Sequence, residues 1–281
     1  MKNVLTLLSI ILSLSLISSC NTASTEGEKD MRFQSVKDVP ESAWKKLADK
    51  KIYFGHQSVG NNIMDGVEEI MKEYPQIQLK IDKTVDIPDF KKANFIHNPN
   101  LGKNKYPDLK IDAFSDVINT EFGNKVDMAF FKFCFADIKS KSDVNKIFDD
   151  YKQSMSKLEN RYSETVFIHL TVPLLTRENK SFKNWIKKIF GKNDAYFANE
   201  HNIKRNEFNE MMRAEYEREE TLFDVAKIES IKSDGTRETF TDGGKRYFAL
   251  SSEYTSDGGH LNEAGRKLVA EQFLLFLLNL S

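Results

Sequence analysis

The chain lacks an excess of charge of either sign. Its 41 lysines and arginines stand against 42 aspartates and glutamates in 281 residues. That balance argues against a broad nucleic-acid footprint, which requires a basic face. No internal repeat and no second domain boundary is visible. Long apolar runs are confined to the two ends. Residues 4–17 form a leucine- and isoleucine-rich run that is too short for a comfortable membrane span. The apolar face of the last helix, from Leu268 to Leu278, is short and begins among charges, so it is expected to dock on a sheet. Cysteine is nearly missing, with only Cys20 and Cys134.

What stands at the start is a targeting segment. Met1-Lys2 is a short basic region, the apolar run follows, and it closes on Leu16-Ile17-Ser18-Ser19-Cys20. These last residues resemble a bacterial lipobox. The resemblance implies cleavage before Cys20, diacylation of that cysteine, and a lipid anchor in the bacterial cell envelope, periplasmic or surface-exposed. An ordinary secretory signal with a stray cysteine and an uncleaved anchor are the alternatives. Residues 21–30 are polar and rich in Gly, Ser and Thr, as in a flexible tether. Glu26-Gly27-Glu28 resembles the surface-export tethers of Bacteroidetes lipoproteins. The expected division is 1–19 signal peptide, 20–30 lipidated cysteine and tether, and 31–281 a single large α/β domain. With Cys20 lipidated, only Cys134 is left, so neither an intrachain disulfide nor a cysteine-built zinc site can form. Cys134 lies in the apolar run 126–135 and reads as a buried, inert thiol.

The stretch Lys51-Ile52-Tyr53-Phe54-Gly55-His56-Gln57-Ser58 organises the rest. A short apolar run, read as a buried strand, breaks at Gly55. After Ser58, apolar positions recur as Val59, Ile63, Met64, Val67, Ile70 and Met71, the spacing of one helix face. Ser58 therefore falls at a strand-to-helix turn, at the carboxyl end of a strand, where open α/β sheets hold ligands. The helix start offers unpaired N–H groups and a positive dipole end to a developing oxyanion. The competing reading is a plain N-cap serine.

Near the other end stands Tyr254-Thr255-Ser256-Asp257-Gly258-Gly259-His260-Leu261-Asn262. An Asp three residues before a His can orient the imidazole through one ring nitrogen, leaving the other as general base. The Ser…Asp…His order resembles the SGNH/GDSL hydrolase superfamily over most of the chain from about Lys51. The resemblance implies Ser58 as nucleophile, Asp257 as orienting acid and His260 as base. It also implies a three-layer α/β sandwich of flavodoxin-like type, with five parallel strands in the order 2-1-3-4-5. Where the family commonly has Gly-Asp-Ser this chain has His56-Gln57-Ser58, and Gln before the serine resembles carbohydrate O-acetylesterase branches. The family's asparagine block after the third strand is replaced by Lys132-Phe133-Cys134-Phe135-Ala136-Asp137, with Ala136 at the asparagine position. Loss of such a donor costs about 3 kcal/mol of transition-state stabilisation unless another group replaces it. The N–H groups of Ser58 and Gly102 are the expected oxyanion donors, with Asn104 or Asn100 as a substitute amide, although turn chemistry is the default for either Asn. The resemblance implies a small-molecule or glycan ester as partner, with the mechanism needing neither metal nor organic cofactor.

Elsewhere, Pro40-Glu41-Ser42-Ala43-Trp44 reads as a helix start with Trp44 and Leu47 facing inward. Strands are expected at 77–81, 126–135, 165–171 and 222–226, and a long functional loop over 84–109. Helices are expected over 111–118, 143–162, 197–219 and after Asn262. His97 is expected at the surface or locally bonded, and His169 as a packed strand histidine without an Asp partner. Residues 177–192 read as a basic amphipathic helix: a surface helix, a lid, or a contact for anionic lipid or acidic glycan. Asp224 and Glu229 have structural roles by default. Ser233-Asp234-Gly235-Thr236 and Asp242-Gly243-Gly244 are turns with a hairpin or loop between them.

Overall fold

The computed structural model describes residues 33–86, 89–177 and 198–281, all within one compact unit spanning 31–281. The signal, lipobox and tether assignments, and the basic segment beyond Arg177, lie outside the described residues. Six strands make one parallel sheet: β1 (Ile52–Gly55), β2 (Ile81–Lys83), β3 (Phe95–Asn98), β4 (Met128–Phe131), β5 (Val166–Leu170) and β6 (Leu222–Phe223). Their order is β2-β3-β1-β4-β5-β6. A separate antiparallel hairpin, β7 (Thr239–Asp242) and β8 (Lys245–Phe248), turns at Gly243-Gly244.

The helices are α1 (Glu41–Ala48), α2 (Val59–Glu73), α3 (Pro107–Val117), α4 (Val144–Arg161), α5 (Asn199–Tyr216), α6 (Val225–Ser230) and α7 (Glu263–Asn279). Alternation along the strands sorts them into two layers. Ile52, Phe54, Met128, Phe130, Ile168 and Leu170 face one core with α1, α2, α6 and α7. Tyr53, Ile96, Ala129, Phe131 and Phe167 face the other with α3, α4 and α5. With both faces covered, the central strands read as continuous apolar runs instead of alternating ones, as expected for a parallel sheet. Phe273 of α7 packs on Phe54, Phe130 and Phe95 in the first layer, so the final helix docks on the sheet. No helix among the described residues is long and apolar enough to cross a membrane.

Four expectations are corrected. The sheet has six strands, not five, because residues 84–109 are not one loop: they contain β3 and the start of α3 at Pro107. The added strand lies between the expected first and second, so the order of the other five is kept. Phe95-Ile96-His97 is too short an apolar run to stand out between two asparagines, and pairing on both sides makes it a strand. The second strand also starts later than expected, at Ile81, and the last stops at Phe223, where Asp224 caps α6 by accepting the Lys227 N–H at 3.0 Å.

Candidate active site

At the end of β1 the chain turns through His56 and Gln57 into Ser58, which occupies the N-cap position of α2. Its hydroxyl caps nothing: no side-chain cap bond is made, and Ser58 Oγ donates to His260 Nε2 at 2.5 Å. The backbone at Ser58 has φ 49° and ψ −102°, a region that non-glycine residues rarely occupy. The turn is tight because α2 begins directly on the His56 ring. A Cβ at Gly60 would lie 2.3 Å from His56 Cγ.

The Asp257–His260 turn supplies the rest of a hydrogen-bonded chain. Asp257 Oδ2 accepts the His260 Nδ1 proton at 2.7 Å, while Oδ1 accepts the backbone N–H groups of Gly259 at 2.9 Å and His260 at 2.8 Å. Burial would raise the Asp257 pKa, but the His260 side chain and these N–H groups outweigh it and hold it at about 2. The turn is pinned from two sides. Asn62 Oδ1, on α2, accepts the Leu261 N–H at 3.1 Å, and the Thr176 N–H donates to Gly258 O at 3.0 Å. Asn262 caps α7 by accepting the Gly265 N–H at 3.0 Å. The Phe135 ring stands edge-on to the imidazole, with centroids 5.5 Å apart. His260 keeps 46% of its side chain exposed, so its imidazole is open to solvent.

The expected oxyanion residues are held on a second loop. Gln57 Nε2 donates to Leu101 O at 3.1 Å and Gly102 O at 2.8 Å, and the Leu101 N–H donates to His56 O at 3.3 Å. Those bonds lay Gly102, at φ 60°, alongside the serine turn. Among the described residues neither the Ser58 nor the Gly102 N–H has an acceptor. Asn104 Oδ1 accepts Lys110 Nζ at 2.8 Å, which leaves the amide hydrogens of Asn104 as donors. Asn100 makes a local turn, its N–H donating to Asn98 Oδ1 at 2.9 Å.

Ala136 is buried and its side chain offers no polar atom. Its neighbour Asp137 instead accepts the Cys134 N–H at 2.7 Å, the Lys105 N–H at 2.7 Å and Lys110 Nζ at 2.5 Å. The Lys110 and Asp137 side chains are 1% and 0% exposed. Cys134 is a buried free thiol. Sequence reading did not find this pair, nor the role of Asn62. Their partners are distant in the chain, and nothing local marks a lysine or an asparagine as inward-facing.

Several other residues are structural. His97 is not at the surface but buried against His56, with His56 Nε2 and His97 Nδ1 2.8 Å apart. The outer nitrogens, His56 Nδ1 and His97 Nε2, have no hydrogen-bond partner among the described residues. Desolvation lowers the pKa of both, that of His97 to about 4. His169 stacks on Tyr216 at 3.6 Å and shares a 2.8 Å hydrogen bond with Tyr151, the packing role expected of it. Asp224 pairs with Arg213 through two bonds of 2.6 and 3.0 Å. Glu229 is fully buried and accepts the Leu174 N–H, and burial pushes its carboxyl up to about 8. Arg177 pairs with Glu238 at 3.0 Å.

The fold and site thus define an α/β protein with a Ser-His-Asp hydrogen-bonded chain at the carboxyl edge of a parallel sheet. No family model and no curated protein matches the sequence. Among solved structures the chain is similar to a GDSL-like lipase from Bacteroides thetaiotaomicron, at 12% identity and TM-score 0.49, covering 83% of this chain and 89% of that one. It is also similar to the periplasmic domain of a lipopolysaccharide acetyltransferase from Salmonella ser. Paratyphi A (10% identity, TM-score 0.43, 80% and 83% covered). A third is the C-terminal catalytic domain of a peptidoglycan O-acetyltransferase from Streptococcus pneumoniae (12% identity, TM-score 0.40, 81% and 92% covered).

Proposed function

We propose that this protein is a serine esterase of the SGNH/GDSL type that cleaves a small acyl group, such as O-acetyl on a carbohydrate, through an acyl-enzyme. The observation that carries the reading is the continuous relay from Ser58 Oγ to His260 Nε2 at 2.5 Å and from His260 Nδ1 to Asp257 Oδ2 at 2.7 Å. His260 removes the Ser58 proton as Oγ attacks the ester carbonyl, and Asp257 stabilises the imidazolium that forms. The Ser58 and Gly102 N–H groups bind the oxyanion, and the Asn104 amide takes the place left by Ala136. Collapse releases the alcohol with the proton from His260. Water, deprotonated by the same imidazole, then attacks the acyl carbon and frees the acid and Ser58.

The exposed imidazole also suits a sugar hydroxyl in place of water, which would make the enzyme an O-acyltransferase. Product analysis with an acceptor glycan present distinguishes the two. A protein that binds glycan without chemistry is the third reading, under which Ser58→Ala changes nothing measurable. The deciding assay follows p-nitrophenyl acetate and longer esters with the wild type, Ser58→Ala and His260→Ala. Turnover that disappears in both folded variants supports the triad, and equal background in all three removes the esterase reading. Lipidation at Cys20 and an envelope location are part of the same proposal. Mass spectrometry of the N-terminal peptide, and release from the membrane fraction by Cys20→Ala, test them.

A further inference from the structure

Helix α5 buries three asparagines, Asn202, Asn206 and Asn209, whose spacing puts them on one helix face. Each grips both backbone groups of a single distant residue. Asn202 Oδ1 accepts the Leu175 N–H at 3.0 Å, and its Nδ2 donates to Leu175 O at 2.6 Å. Asn206 grips Phe248 in the same way, at 3.0 and 2.9 Å, and Asn209 grips Val172, at 2.7 and 2.9 Å. The amides do for these segments what a neighbouring strand would do, pairing backbone groups that burial would otherwise orphan.

Asn202 is joined to a further buried side chain, Arg205, which is 0% exposed. Arg205 Nη1 donates to Asn202 Oδ1 at 2.8 Å, and Arg205 Nε donates to Phe135 O at 3.0 Å. Both arms of this brace end at the His260 turn. The Phe135 ring stands edge-on to the imidazole. Thr176, the residue after Leu175, donates its N–H to Gly258 O. A Cβ at Gly259 would lie 2.6 Å from Leu175 Cδ2 and 3.3 Å from Phe135 Cε1, so both side chains pack directly on the residue before His260. Burying a guanidinium costs solvation that an apolar side chain would not lose. What this one supplies is direction, because its bonds fix the loop after β4 against the segment after β5.

We propose that Arg205 and Asn202 are positioning residues for His260: through Phe135 and Leu175 they fix where the imidazole stands relative to Ser58 Oγ. Their effect on rate rests on the esterase reading given above, while their effect on the ring does not. A half-exposed imidazole is packed on one side only, so its place depends on the turn that carries it and on the Phe135 ring.

The test uses the full chain with Asn202→Ala and Arg205→Lys. Asn209→Ala is the comparison, since it cuts the same kind of clamp at Val172 instead. The NMR resonance of the His260 Hε1 proton, assigned by its absence from His260→Ala, senses the Phe135 ring whether or not the protein turns over an ester. It is expected to move in Asn202→Ala and Arg205→Lys and to stay in place in Asn209→Ala. On p-nitrophenyl acetate, kcat should fall about tenfold in the first two variants with KM within about twofold of wild type, the pattern of a misplaced base. Asn209→Ala should keep kcat within about twofold. If Asn202→Ala does not fold, Asn202→Asp replaces it with the same expectations, because it keeps the acceptor oxygen and loses the donor to Leu175 O. A resonance that stays in place, one that Asn209→Ala moves equally, or an unchanged kcat in an active enzyme overturns the proposal. Unfolding of all the Asn202 and Arg205 variants overturns it too, by assigning both residues to stability. If the wild type cleaves no ester yet the resonance moves as expected, the positioning stands and the esterase reading fails.

Discussion

Asn62 Oδ1 accepts the Leu261 N–H at 3.1 Å across 199 residues of sequence, tying the helix that begins at Ser58 to the turn that holds His260. Ser58 is the N-cap of α2 and Asn62 lies in its first turn, so the start of one helix carries both the proposed nucleophile and the anchor for its proposed base. Asn62→Ala removes the anchor. It is expected to cost about 1–2 kcal/mol of stability and to lower kcat about tenfold by loosening the Ser–His geometry. Urea unfolding alongside steady-state kinetics on p-nitrophenyl acetate measures both. Unchanged kcat would mean that the turn is held well enough by the Thr176–Gly258 bond alone.

The buried Lys110–Asp137 pair predicts strong non-additivity. Lys110→Met leaves the buried Asp137 without its ion-pair partner, and should cost about 3–5 kcal/mol. Asp137→Asn added to Lys110→Met removes the orphaned charge and should regain part of that loss. Equilibrium unfolding of the two single variants and the double variant supplies the cycle.

Acid should weaken the fold through the His56–His97 pair. A histidine whose folded pKa is depressed to about 4, against its ordinary 6.5, costs nothing above pH 6.5. As pH falls through that value the unfolded chain takes up the proton and the native state does not. Stability therefore declines until about pH 4, by about 3 kcal/mol from His97 alone. Urea midpoints measured from pH 7 to 4 should show this slope, and His97→Gln should flatten it.

Asp257 has the opposite sign. With its pKa held at about 2, below the ordinary 3.8, it adds stability above pH 3.8 that is lost as pH falls toward 2. It stays ionised through the working range, so an acid limb in the rate profile at pH 4 or above reports another group. Asp257→Asn should reduce kcat by roughly 10⁴-fold while leaving that limb in place. A limb that disappears with the substitution would reassign it to Asp257.

Legibility in the sequence follows the range of the interactions. The helix after Ser58, the Asn262 cap and the inward Trp44 and Leu47 depend on neighbours within a few residues, and each was readable. β3 was not, because Phe95-Ile96-His97 becomes a strand only through pairing with β1 and β2. The burial of His97 followed from the same miss, since its partner His56 lies on the neighbouring strand's exit. The Ser58, Asp257 and His260 positions were legible because each motif is compact. The contacts that hold them, Asn62 to Leu261 and Gln57 to Gly102, cross between elements and leave no periodic trace.

The backbone at Ser58 has a consequence for how the residue came to be there. A φ of 49° suits glycine and strains serine, by roughly 1–3 kcal/mol. Ser58→Gly should therefore unfold at a higher denaturant concentration than the wild type while losing the hydroxyl, whereas Ser58→Ala keeps the strain. Selection for stability alone would favour glycine at position 58. The serine that stands there is bonded to His260 and caps nothing, so its hydroxyl is held in place at a backbone cost that glycine would avoid.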